Sequence, residues 1–346
     1  MAFKAVPANC VVTGGSGFVG RRLVEMLVER GAKRVVSFDI SPKPKDAVDD
    51  DRIEYVQGDL SKKEDVSKAC KGADCVWHIA ALVGPYFEHS LYFKVNYQGT
   101  VNVIDACKEH GVRKIVMSSS PSTRFDGSDI EGLTEDQLTY PKKFLQAYAE
   151  TKAMGEKAMR DACDGKDLLT VAIAPHQVYG PRDMLFLHNF LLNAKRLRVF
   201  GNGRNKCSFT HVDNYCHGLI LGHEVLYPGS PALGKFYIVT DDEPQVFWQV
   251  LDEAIVALGN KSVFAKAKVP AFLIMLIAHI CDVISYLTNT KIKLSAFSAK
   301  MLIIHRWFNI DAAKKDLGYE PLIPFREGWK QTIEWFKEHW KPVYGK

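Results

Sequence analysis

One stretch of this chain constrains its fold more than any other. A short apolar run, Asn9–Thr13, leads without a break into Gly14-Gly15-Ser16-Gly17-Phe18-Val19-Gly20. Residues 18–30 behind it carry apolar side chains at helical spacing. Strand, glycine loop and helix in that order build an anion site. Gly14 permits a tight turn, Gly17 lets the backbone approach a pyrophosphate, and Gly20 lets the helix sit close on the strand. The free N–H groups at the helix start then face the phosphates. Gly14, Gly15, Gly17, Phe18, Val19 and Gly20 are therefore expected to hold a dinucleotide. Asp39 ends the next apolar run, 19 residues after Gly20. Its carboxylate suits the adenosine ribose hydroxyls and repels a 2′-phosphate, so NAD is expected rather than NADP. Asp59 and Leu60 follow the third run and are placed at the adenine edge. A helix N-cap is the competing role for Asp59.

The rest of the first half repeats the alternation. Asn9–Thr13, Arg34–Asp39, Ile53–Gln57, Cys75–His78, Lys114–Ser118 and 169–174 are short, mostly apolar and unalternating, as strands buried on both faces are. Helical stretches at 18–30, 62–71, 90–110 and 146–163 separate them. The order predicts an α/β chain with a Rossmann doubly wound parallel sheet. After Pro181 helices dominate. The expected division is a dinucleotide-binding domain at 1–181 and a smaller, mostly helical substrate lobe at 182–346, interleaved with the first. The net charge of +5 is spread over 346 residues without a basic block, which argues against a nucleic-acid partner. The eight cysteines form no C-x-x-C pair and read as buried thiols.

Tyr148-Ala149-Glu150-Thr151-Lys152 is the second informative segment. Residues i and i+4 share a helix face, so Tyr148 and Lys152 reach one point. A phenol titrates near pH 10 and is a poor base at neutral pH. A neighbouring ammonium is expected to lower it and make the pair a usable acid/base for alcohol and ketone. Ser118-Ser119-Ser120 at the end of the fifth strand offers a hydroxyl to the reacting oxygen.

Together with Trp77-His78-Ile79-Ala80-Ala81 and Val95-Asn96-Tyr97-Gln98-Gly99-Thr100, these segments resemble the extended short-chain dehydrogenase/reductases. The resemblance implies Ser120, Tyr148 and Lys152 as catalytic, with Ser119 and Ser122 as rivals for the serine. It also implies Ala80, Ala81, Pro175 and Val178 beside the cofactor, the last two near Tyr179-Gly180-Pro181. Within that family, Phe125-Asp126-Gly127 and Asp242-Glu243-Pro244 are similar to the branch of decarboxylating sterol-4-carboxylate and 3β-hydroxysteroid dehydrogenases. This implies NAD-dependent oxidation of a sterol 3β-hydroxyl with loss of a carbon-4 carboxylate. The alternatives are a 3β-hydroxysteroid dehydrogenase without decarboxylation and a nucleotide-sugar epimerase. Cys207-Ser208 stand where an epimerase has a phosphate-binding arginine, which counts against the last. Pro121 and Arg124 depart from the pattern after the serines. A substrate carboxylate also requires a cation, for which Arg124 and Arg182 are the candidates. His78, His176, His211 and His217 lack ligand spacing, and no metal is expected.

Residues 270–287 are nearly all apolar and as a helix would extend roughly 27 Å. His279, Asp282, Tyr286 and Asn289 recur on one stripe. Two readings stand level: a helix lying on a membrane surface, and a core helix roofing the substrate cleft. The first goes with a sterol substrate at the cytosolic face of the endoplasmic reticulum membrane, the second with a cytoplasmic protein. A homodimer is also among the expectations.

Overall fold

The computed structural model describes residues 6–84, 87–288, 290, 292 and 294–345. The six expected strands form: β1 (Asn9–Thr13), β2 (Arg34–Asp39), β3 (Ile53–Gln57), β4 (Cys75–His78), β5 (Lys114–Ser118) and β6 (Leu169–Pro175). A seventh, β7 (Phe236–Val239), pairs with β6. All seven are parallel, in the order β3-β2-β1-β4-β5-β6-β7. The order reverses between β1 and β4, which opens a crevice at their carboxyl ends. The glycine loop leaves β1 at that crevice.

Helices α1 (Phe18–Glu29), α2 (Lys63–Cys70), α3 (Gly99–His110), α4 (Ala147–Asp161) and α5 (Val212–Glu224) flank the sheet. Val11, Val12, Val76, Trp77 and Val116 are fully buried in it. Helix α5 and strand β7 lie beyond residue 181 yet complete this layer.

The stretch expected as one helix over 90–110 is broken. His89–Tyr92 is a single turn, Phe93–Gln98 is a wider coil, and only then does α3 begin. The cause is tertiary. A β-carbon at Gly155 on α4 would lie 2.4 Å from the Asn96 carbonyl oxygen, so α4 packs directly on the widened turn. Thr100 Oγ1 donates to that same oxygen at 2.7 Å. Insertions of this kind recur near functional sites.

A second aromatic core lies beyond the sheet. Tyr179, Phe209, Phe247, Trp248, Phe325 and Trp329 fill it. Helix α6 (Phe247–Ala257) belongs to it, followed by α7 (Ala271–Thr288) and the short α8 (Ala296–Met301). Only Ile274 and Ala278 of α7 are buried. Phe272 is 75 % exposed and Tyr286 87 %. The core-helix reading of 270–287 is thereby overturned: among the described residues the helix is covered only along the line of Ile274 and Ala278, which pack with Ala299 of α8. Of the polar stripe, His279 and Tyr286 are exposed and one member departs. Its Asp282 faces inward, accepting the Ala296 N–H at 3.0 Å, while apolar residues face out. Asn289 lies outside the described residues.

Candidate active site

At the glycine loop, the Gly14 and Gly15 N–H groups both donate to the Phe38 carbonyl, at 2.8 and 3.2 Å. Gly14 has φ +73°, and a β-carbon there would meet the Ala80 nitrogen at 2.8 Å. A β-carbon at Gly20 would sit 2.0 Å from the Gly14 oxygen. Space enforces both glycines, and at Gly14 the left-handed backbone conformation does so as well. At Gly17 a β-carbon would meet only the Gly14 oxygen, at 3.3 Å. Helix α1 starts at Phe18 with no side-chain cap and no acidic residue in its first turn. Its positive end is open to an anion.

Asp39 reaches the same loop. Its carboxylate accepts from the Ser16 N–H at 3.1 Å and the Ser41 N–H at 2.8 Å. Asp59 is not a helix N-cap: it accepts from the Ser61 N–H and hydroxyl, a tight turn ahead of α2. Leu60 is buried against Gly99. Ala80 donates its N–H to Thr13 Oγ1 at 3.2 Å. Ala81 is half-buried in the loop that follows, while Phe18 and Val19 pack on the sheet core. Pro175 ends β6, and Val178 pairs with Thr210. The loop, the open helix end and the Asp39 carboxylate beside them fit a dinucleotide.

The serines separate by direction. Successive side chains along an extended strand point to opposite sides. Ser118 Oγ accepts from the Tyr215 hydroxyl at 2.7 Å. Ser119 Oγ donates to Glu156 Oε2 at 2.5 Å, inside the protein. Ser120 Oγ meets Ser122 Oγ at 2.8 Å, and both hydroxyls stand close enough to the Tyr148 phenol to favour its ionised form. Ser119 is consequently occupied, and Ser120 and Ser122 share the reactive side. Pro121 opens the turn Pro121–Arg124 that brings Ser122 back to Ser120. Its fixed φ suits a first helical position.

Lys152 lies one turn beyond Tyr148 on α4 and is buried. Burial lowers its ammonium to about 8, against the supporting charge of Glu156. Burial pushes the Tyr148 phenol up, with Ser120 and Ser122 pulling the other way. Loss of water, rather than the expected pull of Lys152, governs Tyr148, and the opposing influence comes from the two serines.

Both expected carboxylate receptors are already taken. Arg124 is buried and donates twice to Glu156, at 2.9 and 2.6 Å, with its guanidinium 3.5 Å from the Phe236 ring centre. Breaking such a buried pair costs about 3–5 kcal/mol. Arg182 donates to Glu25 at 2.7 Å.

Two residues escaped the sequence reading. Asn96 accepts the Leu82 N–H at 2.8 Å and donates to its carbonyl at 3.1 Å, fixing the loop after β4. Tyr92 packs edge-on to Tyr148, ring centres 6.3 Å apart, and donates to the Gly84 carbonyl. Asn96 stands within a segment whose pattern is informative; Tyr92 had no such signal. The histidines are internal struts. His78 lies between Thr13 at 2.8 Å and Thr100 at 3.0 Å, and burial holds it down to about 3. Among the described residues no cluster of His, Cys, Asp and Glu could hold a metal.

Gly84, Ser122, Phe125, Leu145, Gln146, Tyr148, Ala149 and Phe297 line a cavity of about 80 Å³ that opens to solvent. Its wall is hydrocarbon except near the two hydroxyls. A Rossmann sheet with an open helix end beside a Ser/Tyr/Lys cluster defines a dehydrogenase of the short-chain type. The chain belongs to the 3-beta hydroxysteroid dehydrogenase/isomerase family, whose model matches residues 11–265. It is 35% identical to 3beta-hydroxysteroid-dehydrogenase/decarboxylase isoform 2 of Arabidopsis thaliana, over 94% of this chain and 62% of that protein. It is also 35% identical to the human sterol-4-alpha-carboxylate 3-dehydrogenase, decarboxylating, over 95% of this chain and 88% of that protein. Among solved structures, an epimerase from Methanothermobacter thermautotrophicus superimposes with TM-score 0.74 at 23% identity, covering 98% of this chain and 95% of that one. That likeness concerns the fold.

Proposed function

We propose that this chain oxidises the 3β-hydroxyl of a sterol bearing a carbon-4 carboxylate, with NAD as cofactor, and that the carboxylate leaves as carbon dioxide. The observation that carries this reading is that Tyr148 and Ser122 line an otherwise apolar cavity, with the Ser120 hydroxyl 2.8 Å from that of Ser122. A flat, hydrocarbon substrate with one hydroxyl at its edge suits it. The names of the plant and human relatives give the same chemistry for those proteins.

Gly14, Gly15, Gly17, Phe18, Val19 and Gly20 hold the pyrophosphate, and Asp39 the adenosine ribose. Asp59, Leu60, Ala80, Ala81, Pro175 and Val178 form the remaining wall. NAD, when bound, supplies the acceptor for the carbon-3 hydride. Tyr148 as phenolate takes the hydroxyl proton, Ser120 orients the oxygen, and Lys152 is the cation for the phenolate. The product of oxidation is a β-keto acid. Its carboxylate departs and leaves its electron pair on the new carbonyl as an enolate. Tyr148, now carrying the proton, and Ser120 hold that oxygen, so no second site is needed.

The exposed face of α7 goes with a lipid-soluble substrate. Residues 254–310 carry seven Lys and Arg against the single Asp282, a local charge of +6 beside +5 for the whole chain. An apolar helix face in basic surroundings binds an anionic lipid surface. The endoplasmic reticulum membrane, at its cytosolic face, is the proposed location.

The test is stoichiometry. A 4-carboxysterol should yield NADH and carbon dioxide in equal amounts, and its 4-methyl analogue NADH alone. NADH without carbon dioxide, with the β-keto acid trapped intact, would show a plain hydroxysteroid dehydrogenase.

A further inference from the structure

With Arg124 and Arg182 both engaged, the proposed substrate's carboxylate lacks a receptor among the expected residues. The short helix α8 supplies another. Phe297 on α8 lines the cavity beside Tyr148 and packs edge-on to Phe125, ring centres 6.3 Å apart. Lys300 follows three residues later, so it shares that face of the helix. Gly127 fixes where its ammonium lies. A β-carbon at Gly127 would be 3.2 Å from Leu145 Cδ1 and 3.5 Å from Lys300 Nζ. Leu145 lines the cavity, so the ammonium stands at the cavity's rim.

Gly127 has φ +100°, and the space a side chain would fill is taken by Leu145 and Lys300. This gives a reason for the glycine in Phe125-Asp126-Gly127. No hydrogen bond or ion pair engages the Lys300 ammonium among the described residues. Lys142 and Lys143 are near in sequence to the same wall but are exposed, where a cation gains little from an anion. Lys300 is half-buried against hydrocarbon, where the same contact is stronger.

We infer that Lys300 receives the carboxylate of the substrate at the rim of the Tyr148 cavity. The inference rests on the sterol-carboxylate reading. Lys300 sets specificity: it holds the carboxylate beside the carbon being oxidised, and a substrate without that group does not need it. The ion pair also orients the sterol's hydroxyl edge toward Ser120 and Tyr148.

The experiment compares Lys300→Met, Lys300→Arg and, as a control, Lys143→Met in the full chain with NAD. Each is assayed on a 4-carboxysterol and on the same sterol without the carboxylate. A charge-assisted hydrogen bond is worth about 1.5–3 kcal/mol, a factor of about 10–150. Lys300→Met should therefore lower kcat/KM for the carboxysterol by roughly 10- to 150-fold and leave the unsubstituted sterol within about twofold. Lys300→Arg should keep most of the carboxysterol activity, and Lys143→Met all of it. Equal losses on both substrates, or none on the carboxysterol, would overturn the assignment. Those results leave wild-type oxidation of the carboxysterol intact. Wild-type inactivity on both sterols would instead remove the functional reading, and Lys300's role with it.

Discussion

Strand β6 and helix α7 are both runs of apolar residues, and the protein treats them in opposite ways. Six of the seven residues in β6 are buried. In α7 the buried residues are Ile274 and Ala278. Composition alone does not separate them. Strand β6 has partners on both edges, β5 and β7, and helices over its faces. Helix α7 rests along one narrow line on α8 and leaves its hydrocarbon to the surroundings. Apolar sequence thus states a demand for a non-aqueous neighbour. The fold meets that demand for β6, and something outside the chain must meet it for α7.

Three variants probe this contrast. Ile173 is fully buried at the centre of β6. Ile173→Ala should cost about 2–5 kcal/mol of stability, read as a lower urea midpoint. A smaller loss would mean that the sheet is looser than its packing suggests.

Lys152 is a charged residue within the buried half. Its ammonium is lowered to about 8, against 10.5 for the free side chain. The folded chain therefore releases this proton first. Between those pH values the unfolded chain holds more protons, so this group's contribution to stability rises with pH. Lys152→Met should remove turnover yet raise stability at pH 7 by on the order of 1–3 kcal/mol. The gap between the two proteins should then narrow from pH 8 to 10. A variant less stable than wild type at pH 7 would show that the lysine is not a burden to the fold.

On α7, replacing Phe272, Ile280 and Val283 together by Ser should change unfolding stability by no more than about 0.5 kcal/mol. Sedimentation with anionic vesicles should fall at least about tenfold, since the hydrocarbon that enters the lipid is gone. A melting temperature that drops as far as that of Ile173→Ala would return this helix to the core.

What the sequence made legible follows the same division. Six of the seven strands of the sheet ended within a residue of expectation, because glycines, charges and unbroken apolar runs mark them locally; β7 was not expected, since it lies in the half read as mostly helical. The wide turn at Phe93–Gln98 was not legible, because it depends on Gly155 pressing from another helix. Arg124 was misread for a similar reason: its partner Glu156 is 32 residues away, and nothing nearby announces the pair. The outward face of α7 was also hidden. A helix apolar nearly all round gives periodicity little to work with, and only the position of its neighbours shows which side is left over.

The three consecutive serines after β5 look like spare copies of one another. They are not, because each hydroxyl is aimed by the alternation of the strand: Ser118 at Tyr215, Ser119 at Glu156, Ser120 toward Tyr148. Losing one of them by deletion would leave two serines and an almost unchanged composition. It would also slide the remaining hydroxyls by one step, so that none keeps the partner at which it is aimed. The repeat therefore offers no insurance. Its meaning is positional, like a phase, and the chain should tolerate a substitution at any one of these places better than a shift of all three.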